Sequence, residues 1–177
     1  QLAGAAELEA SQLSMAVEWL LAKSLITVQT ETVTPIVSLT KIGEEYYQTA
    51  SPIERVLTAA REATGTGKRL TIPDLQSQGG LDPSDVSKAV GRLKKEGVVL
   101  IIQGGCIETT GRPSQTVEAL RTLLGEIHDS PKELKNFTEA HRQIIEDFAV
   151  KRGNAKEPFR VDERVARSFI LSPDGAG

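Results

Sequence analysis

The chain is short of several residue types, and each shortage removes a class of function. It holds a single cysteine, Cys106, so neither an intramolecular disulfide nor a cysteine-rich zinc site can form. Its two histidines, His128 and His141, do not stand at metal-ligand spacing. Aromatic residues make up 4%, so the core has to be built from Leu, Ile, Val and Ala. There is no run of 18 apolar residues and no basic-then-apolar leader, which leaves no membrane span or signal peptide to propose. A reducing, cytoplasmic setting is expected. The glycine-rich stretches at 64–68 and 104–105 lack the G-x-x-x-x-G-K-[ST] spacing of a phosphate loop. Cys106 has no activating base near it in sequence, so it reads as a small structural residue. No catalytic, metal or cofactor constellation emerges.

What is present is a repeat. LAGAAELEASQLSMAVEWLLAKSLITV (2–28) lies without a gap over LQSQGGLDPSDVSKAVGRLKKEGVVLI (75–101), with seven of 27 pairs identical: Leu2/Leu75, Leu8/Leu81, Ser11/Ser84, Ser14/Ser87, Ala16/Ala89, Val17/Val90 and Leu20/Leu93. Each copy reads as a short helix, a tight turn, a longer amphipathic helix and an apolar strand. That order is a helix-turn-helix followed by a β-hairpin wing.

With 177 residues and a period near 70, the expected fold class is α+β, mostly helical, made of tandem winged-helix modules. The expected domains are 1–50, a first module lacking its front helix; 51–112, a second; and 113–177, a divergent third. In the first, Ser11 is expected to cap a helix carrying Leu13, Ala16, Val17 and Leu20 on one face, and Leu25–Thr30 with Ile36–Leu39 to form the wing. In the second, Ser51-Pro52 and Asp82-Pro83 are helix starts, TGTGK is a turn, Leu70–Ile72 a short strand, and Gly104-Gly105 the tip of a hairpin. In the third, Val117, Leu120, Leu123, Leu124 and Ile127 mark an amphipathic helix. Ser130-Pro131 would start a short helix there, Thr138 would cap another, and Phe159–Val161 with Arg167–Leu171 would make a wing. Leu171-Ser172-Pro173-Asp174-Gly175 echoes the Leu-Thr-x-x-Gly of 39–43. The missing front helix and the start at Gln1 suggest part of a longer protein.

The second helix of such a module presents its outer face to a nucleic-acid groove. In the helix at 83–96 the face opposite Val86, Val90 and Leu93 carries Lys88, Arg92 and Lys95, flanked by Lys94, and these four are the candidate nucleic-acid contacts. The matched positions of the first copy are Met15, Trp19 and Ala22. They are apolar and are the candidate docking face for another domain or a partner chain. Net charge is −3, so any nucleic-acid contact must be local.

AVEWLLAKSLITV (16–28) and VSLTKIGEEYYQTASPIERVL (37–57) resemble the N-terminal region of the α chain of archaeal and eukaryotic-type phenylalanyl-tRNA synthetase. The signals are A-V-x-W-L-x-x-K-x-L-I-x-V, the Leu-Thr-x-x-Gly end of the wing, and a Tyr-rich helix running into S-P-x-E-R-x-L. The resemblance implies a tRNA-holding appendage of a phenylalanine-tRNA ligase, active in protein biosynthesis, with two α and two β chains. Its partners would be tRNA, the β subunit and the chain's own class II catalytic domain. The parent enzyme would use ATP and Mg; the segment in hand has no ATP or phenylalanine site and no catalytic residue. On that reading Lys88, Arg92 and Lys95 would contact phosphates, and Lys88→Glu with Arg92→Glu would abolish binding. The alternatives are a tandem winged-helix transcription regulator on duplex DNA and a winged-helix protein-interaction scaffold.

Overall fold

Capping residues set most of the helix starts. The computed structural model describes residues 10–151 and 156–173, and in it Thr40, Ser51, Thr71, Asp82, Ser114 and Thr138 each accept a backbone N–H from the first turn that follows. Such bonds satisfy donors that the helix itself leaves unpaired. The order is α1 (Ala10–Ala22), β1 (Ile26–Leu39), α2 (Lys41–Gln48), α3 (Pro52–Thr66), α4 (Ile72–Gly79) and α5 (Pro83–Lys95). Then come β2 (Val99–Ile102), β3 (Cys106–Thr109), α6 (Gln115–His128), β4 (Lys132–Glu133), a 3-10 turn at Leu134–Asn136, α7 (Glu139–Asp147) and β5 (Phe159–Leu171). This is a mixed α+β fold with two small sheets, one ordered β4-β1-β5 and the other β2-β3. The chain divides into two compact units, residues 1–35 with 163–177, and residues 36–162.

In the 36–162 unit, Ile53, Val56, Leu57 and Ala60 of α3 and Val86, Ala89, Val90 and Leu93 of α5 are buried together with Leu75, Val98, Val99 and Ile107. Leu120, Leu123, Leu124 and Ile127 of α6, Ile145 of α7, Val37 and Phe159 complete the same core. Each such Val, Leu, Ile or Phe side chain contributes about 1.5–3 kcal/mol on burial. The hairpin β2-β3 turns at Gly104 and Gly105, at φ 82° and 73°, a left-handed backbone that glycine adopts without cost. Thr71 forms a single bridge to Cys106, and Ile107 N–H donates to the Leu70 carbonyl at 2.7 Å. The expected strand at 70–72 is therefore one bridge, and Ile72 already belongs to α4.

The Leu-Thr-x-x-Gly motif has a local cause. Thr40 Oγ1 accepts from Gly43 N–H at 3.1 Å and donates to the Glu157 carbonyl at 2.7 Å. A Cβ on Gly43 would stand 2.3 Å from the Pro158 carbonyl oxygen, so only glycine lets the 157–158 backbone lie across the helix start.

In the other unit, α1 is followed by residues 26–35 of β1, which run antiparallel to 163–171 of β5. The Ser172 N–H donates to the Leu25 carbonyl, Arg167 meets Glu31, and Thr30 meets Ser168. The Ser172 hydroxyl donates to the Ser24 carbonyl, much as Thr40 reaches Glu157.

Five local expectations are corrected. Leu25–Thr30 and Ile36–Leu39 are not two arms of a wing but parts of one 14-residue strand. Phe159–Val161 and Arg167–Leu171 likewise lie in one 13-residue strand. Neither intervening segment, 31–35 or 162–166, contains a glycine or an Asn-Gly pair to turn the chain, so each strand runs on. Ser130-Pro131 starts no helix: Lys132 and Glu133 pair with Val37 and Ile36 of β1. Ser11 lies inside α1 rather than capping it. Thr64-Gly65-Thr66 continue α3, and Gly67, at φ 65°, ends it. The helix expected at 2–8 and the glycine at 175 fall outside the described residues.

Candidate nucleic-acid interface

Helix α5 is built to start sharply. The Asp82 side chain accepts from Ser84 N–H at 3.2 Å and Pro83 takes the first turn. That backbone bond, and next the Lys156 ammonium 3.3 Å away, hold the Asp82 carboxyl below the usual carboxylate range. Its last turn carries Arg92, Lys94 and Lys95, where cations meet the negative end of the helix dipole. The buried face is the one the apolar spacing predicts, so Lys88, Arg92 and Lys95 do share the opposite side.

That side does not stand free. Arg92 Nη2 donates to Asp147 Oδ2 at 3.0 Å, and its guanidinium carbon lies 4.6 Å from the centre of the Phe148 ring. Lys88 Nζ is 3.8 Å from Glu157 Oε1. The end of α7 and the residues leading into β5 thus lie along the cationic face. Between them is a cleft of about 730 Å³ lined by Tyr46, Lys88, Arg92, Lys95, Phe148 and Glu157 among others. Tyr46 is pushed up to about 12, first by burial and then by the carboxylates of Asp85, Glu157 and Glu45. Acids and bases alternate around this cleft, so it has no strong preference for one charge. Lys94 and Lys95 are exposed, and among the described residues neither makes an ion pair.

The other candidates divide cleanly. Met15 (70% exposed), Trp19 (57%) and Ala22 all lie on the open side of α1. Cys106 is buried in β3. His128 stacks on Tyr47, with ring centres 4.1 Å apart, and its Nδ1 is 2.6 Å from Glu44 Oε2; it ties α6 to α2. Among the described residues no group of three His, Cys, Asp or Glu is placed to hold a metal, and no helix is long and apolar enough to cross a membrane. Asp147, Phe148 and Glu157 were not singled out from the sequence. They lie 55 or more positions beyond Arg92, and nothing in their local pattern announces the contact.

No family model matches the chain, and comparisons with curated proteins and with solved structures find no match.

Proposed function

We propose that the chain is an RNA-holding appendage of a phenylalanine-tRNA ligase α chain, and that residues 52–109 are its winged-helix module. The observation that supports this best is the arrangement α3, α4, α5, β2, β3. Three helices close over one core with a glycine-tipped hairpin behind them, and α5 turns Lys94 and Lys95 outward with no acid among the described residues paired to either. In a module of this order the helix in the position of α5 is the one that approaches nucleic acid. The resemblance at 16–28 and 37–57 supplies the kind of nucleic acid, structured tRNA. Contacts made by lysines at a helix end position a phosphate backbone and do not read bases.

The test is direct titration of the protein with a folded tRNA and with duplex DNA over a range of salt. Binding to tRNA should be weak, steeply salt-dependent and insensitive to the anticodon. Tighter binding to a particular duplex DNA would replace this reading with a transcription regulator. A second reading, docking on protein, applies to α1 alone and rests on the exposure of Met15 and Trp19. On that reading α1 faces the catalytic domain or the β subunit. A protein-footprinting experiment on the full enzyme, with protection at Trp19 as its readout, checks it.

A further inference from the structure

Of the three cations on the groove face of α5, Lys88 and Arg92 already meet carboxylates, whereas Lys95 and a set of cations at the end of the helix do not among the described residues. Three separate elements of the 36–162 unit are laced together at the C-terminal end of that helix, and each contributes a basic side chain. From α3, Thr64 Oγ1 accepts the Thr109 N–H at 3.1 Å, and Arg61, one turn earlier on the same helix, reaches the Arg112 carbonyl with Nη2 at 3.5 Å. From the turn after β3, Thr110 Oγ1 donates to the Gly97 carbonyl at 2.8 Å, and Thr109 Oγ1 accepts the Gly111 N–H at 3.2 Å. These bonds hold Arg112 beside the end of α5, with Nη1 3.8 Å from where a Cβ of Gly97 would be. From α5 itself, the Lys94 carbonyl accepts the Gly97 N–H at 3.0 Å.

Arg61, Lys94 and Arg112 are all exposed, and among the described residues none forms an ion pair. The nearest acid in sequence to Lys94, Glu96, is turned inward, where its carboxylate accepts from the Ser114 and Thr116 hydroxyls. The contrast with Lys88 and Arg92, which are paired to Glu157 and Asp147, is a contrast in availability. A cation already holding an internal carboxylate has to give that up before it can neutralise a phosphate.

We infer that Arg61, Lys94 and Arg112 form the surface that grips the phosphate backbone of structured RNA. This rests on the RNA-binding reading above and refines where on the module it happens. The bonds between α3, the 109–112 turn and the end of α5 keep these three cations on one part of the surface, and a guanidinium fork can engage two phosphate oxygens at once.

The experiment compares two sets of substitutions in the whole chain, with folded tRNA as the probe. Arg61→Gln, Lys94→Gln and Arg112→Gln together should weaken binding at low salt at least tenfold. They should also make the slope of log affinity against log salt shallower by about two to three, close to one per phosphate contact removed. Arg61→Lys with Arg112→Lys, which keeps the charge but loses the fork, should keep the salt slope while losing part of the affinity, and an unchanged urea midpoint for the triple variant verifies that its fold is intact. Lys88→Gln with Arg92→Gln should lose no more than about twofold. If instead the latter pair abolishes binding and the triple variant keeps its affinity and slope, the assignment is overturned while the RNA-binding reading stands. If the unsubstituted protein binds no tRNA at any salt, both fall.

Discussion

At the four apolar positions shared by the repeat, Val86, Ala89, Val90 and Leu93 of α5 are all 4% exposed or less, whereas Leu13, Val17 and Leu20 of α1 are half-buried and Ala16 is exposed. The spacing is the same in both helices, so the difference lies in what each finds to pack against. Within its unit α5 has α3, α4 and the hairpin, and its apolar stripe closes one side of the core. Among the described residues every member of the buried core falls between Val37 and Phe159, and none belongs to α1. The chains leaving the two helices part company as well. Gly104-Gly105 folds the second copy back on itself, and the corresponding residues of the first are Glu31 and Thr32, neither of which takes positive φ as glycine does, so the strand continues. A repeated pattern thus fixes which face of a helix is apolar; it does not supply the partner or the turn.

Matched substitutions in the two copies test this, beginning with the core. Leu93→Ala should cost about 2–5 kcal/mol, because it opens a cavity in a closed core, and Leu20→Ala less than about 1 kcal/mol. Equilibrium urea denaturation of the two variants reads both, and equal losses would erase the distinction. At the turn, Gly105→Val forces a β-branched residue into left-handed backbone and should cost about 1–3 kcal/mol, while Thr32→Val, in extended backbone, should be close to neutral. A smaller effect is expected at the pair Trp19 and Arg92. Arg92→Ala removes a partly exposed ion pair and a cation–ring contact, for a loss of about 1 kcal/mol, whereas Trp19→Ala should stay within about 0.5 kcal/mol.

The last expected effect is confined to high pH and is a change in the shape of a pH profile. Tyr46, beside the α5 face, is raised from 10.0 to about 12. The folded protein therefore holds that proton more tightly than the unfolded chain does. The neutral phenol's contribution to stability is whole below pH 10 and drains away as pH rises through the folded value. Tyr46→Phe should flatten the alkaline limb of stability against pH, and an unchanged limb would remove Tyr46 as its source.

The sequence made the 52–128 region legible because its signals are local. Ser51-Pro52, Asp82-Pro83, Gly104-Gly105 and the stripe along α6 each act within a few residues of where they stand. The two long strands were misread for the complementary reason. Short apolar runs suggested a hairpin in each, but neither intervening segment holds a glycine to turn the chain. The partner that stabilises each strand lies at the opposite end of the chain, where no window of sequence can reveal it. The cationic stripe on α5 was legible as a face. Its spacing is helical geometry, while the pairing of Arg92 with Asp147 belongs to the tertiary fold.

The pairing of β1 with β5 also has a consequence in time. Thr30 meets a residue 138 positions later, and Ser24 one 148 positions later. At about 5–20 residues per second a ribosome needs on the order of ten seconds to make the intervening chain. Through that interval residues 36–162 can begin to fold from contacts of their own, while the 26–35 strand, made before them, waits with its backbone edge unpaired. A strand made before the 36–162 core is thus completed after it, and the exposed Val28 and Val33 ride on it. A nascent chain stalled before residue 172 would leave that edge open, a place where a chaperone or a second nascent copy finds a strand to pair with.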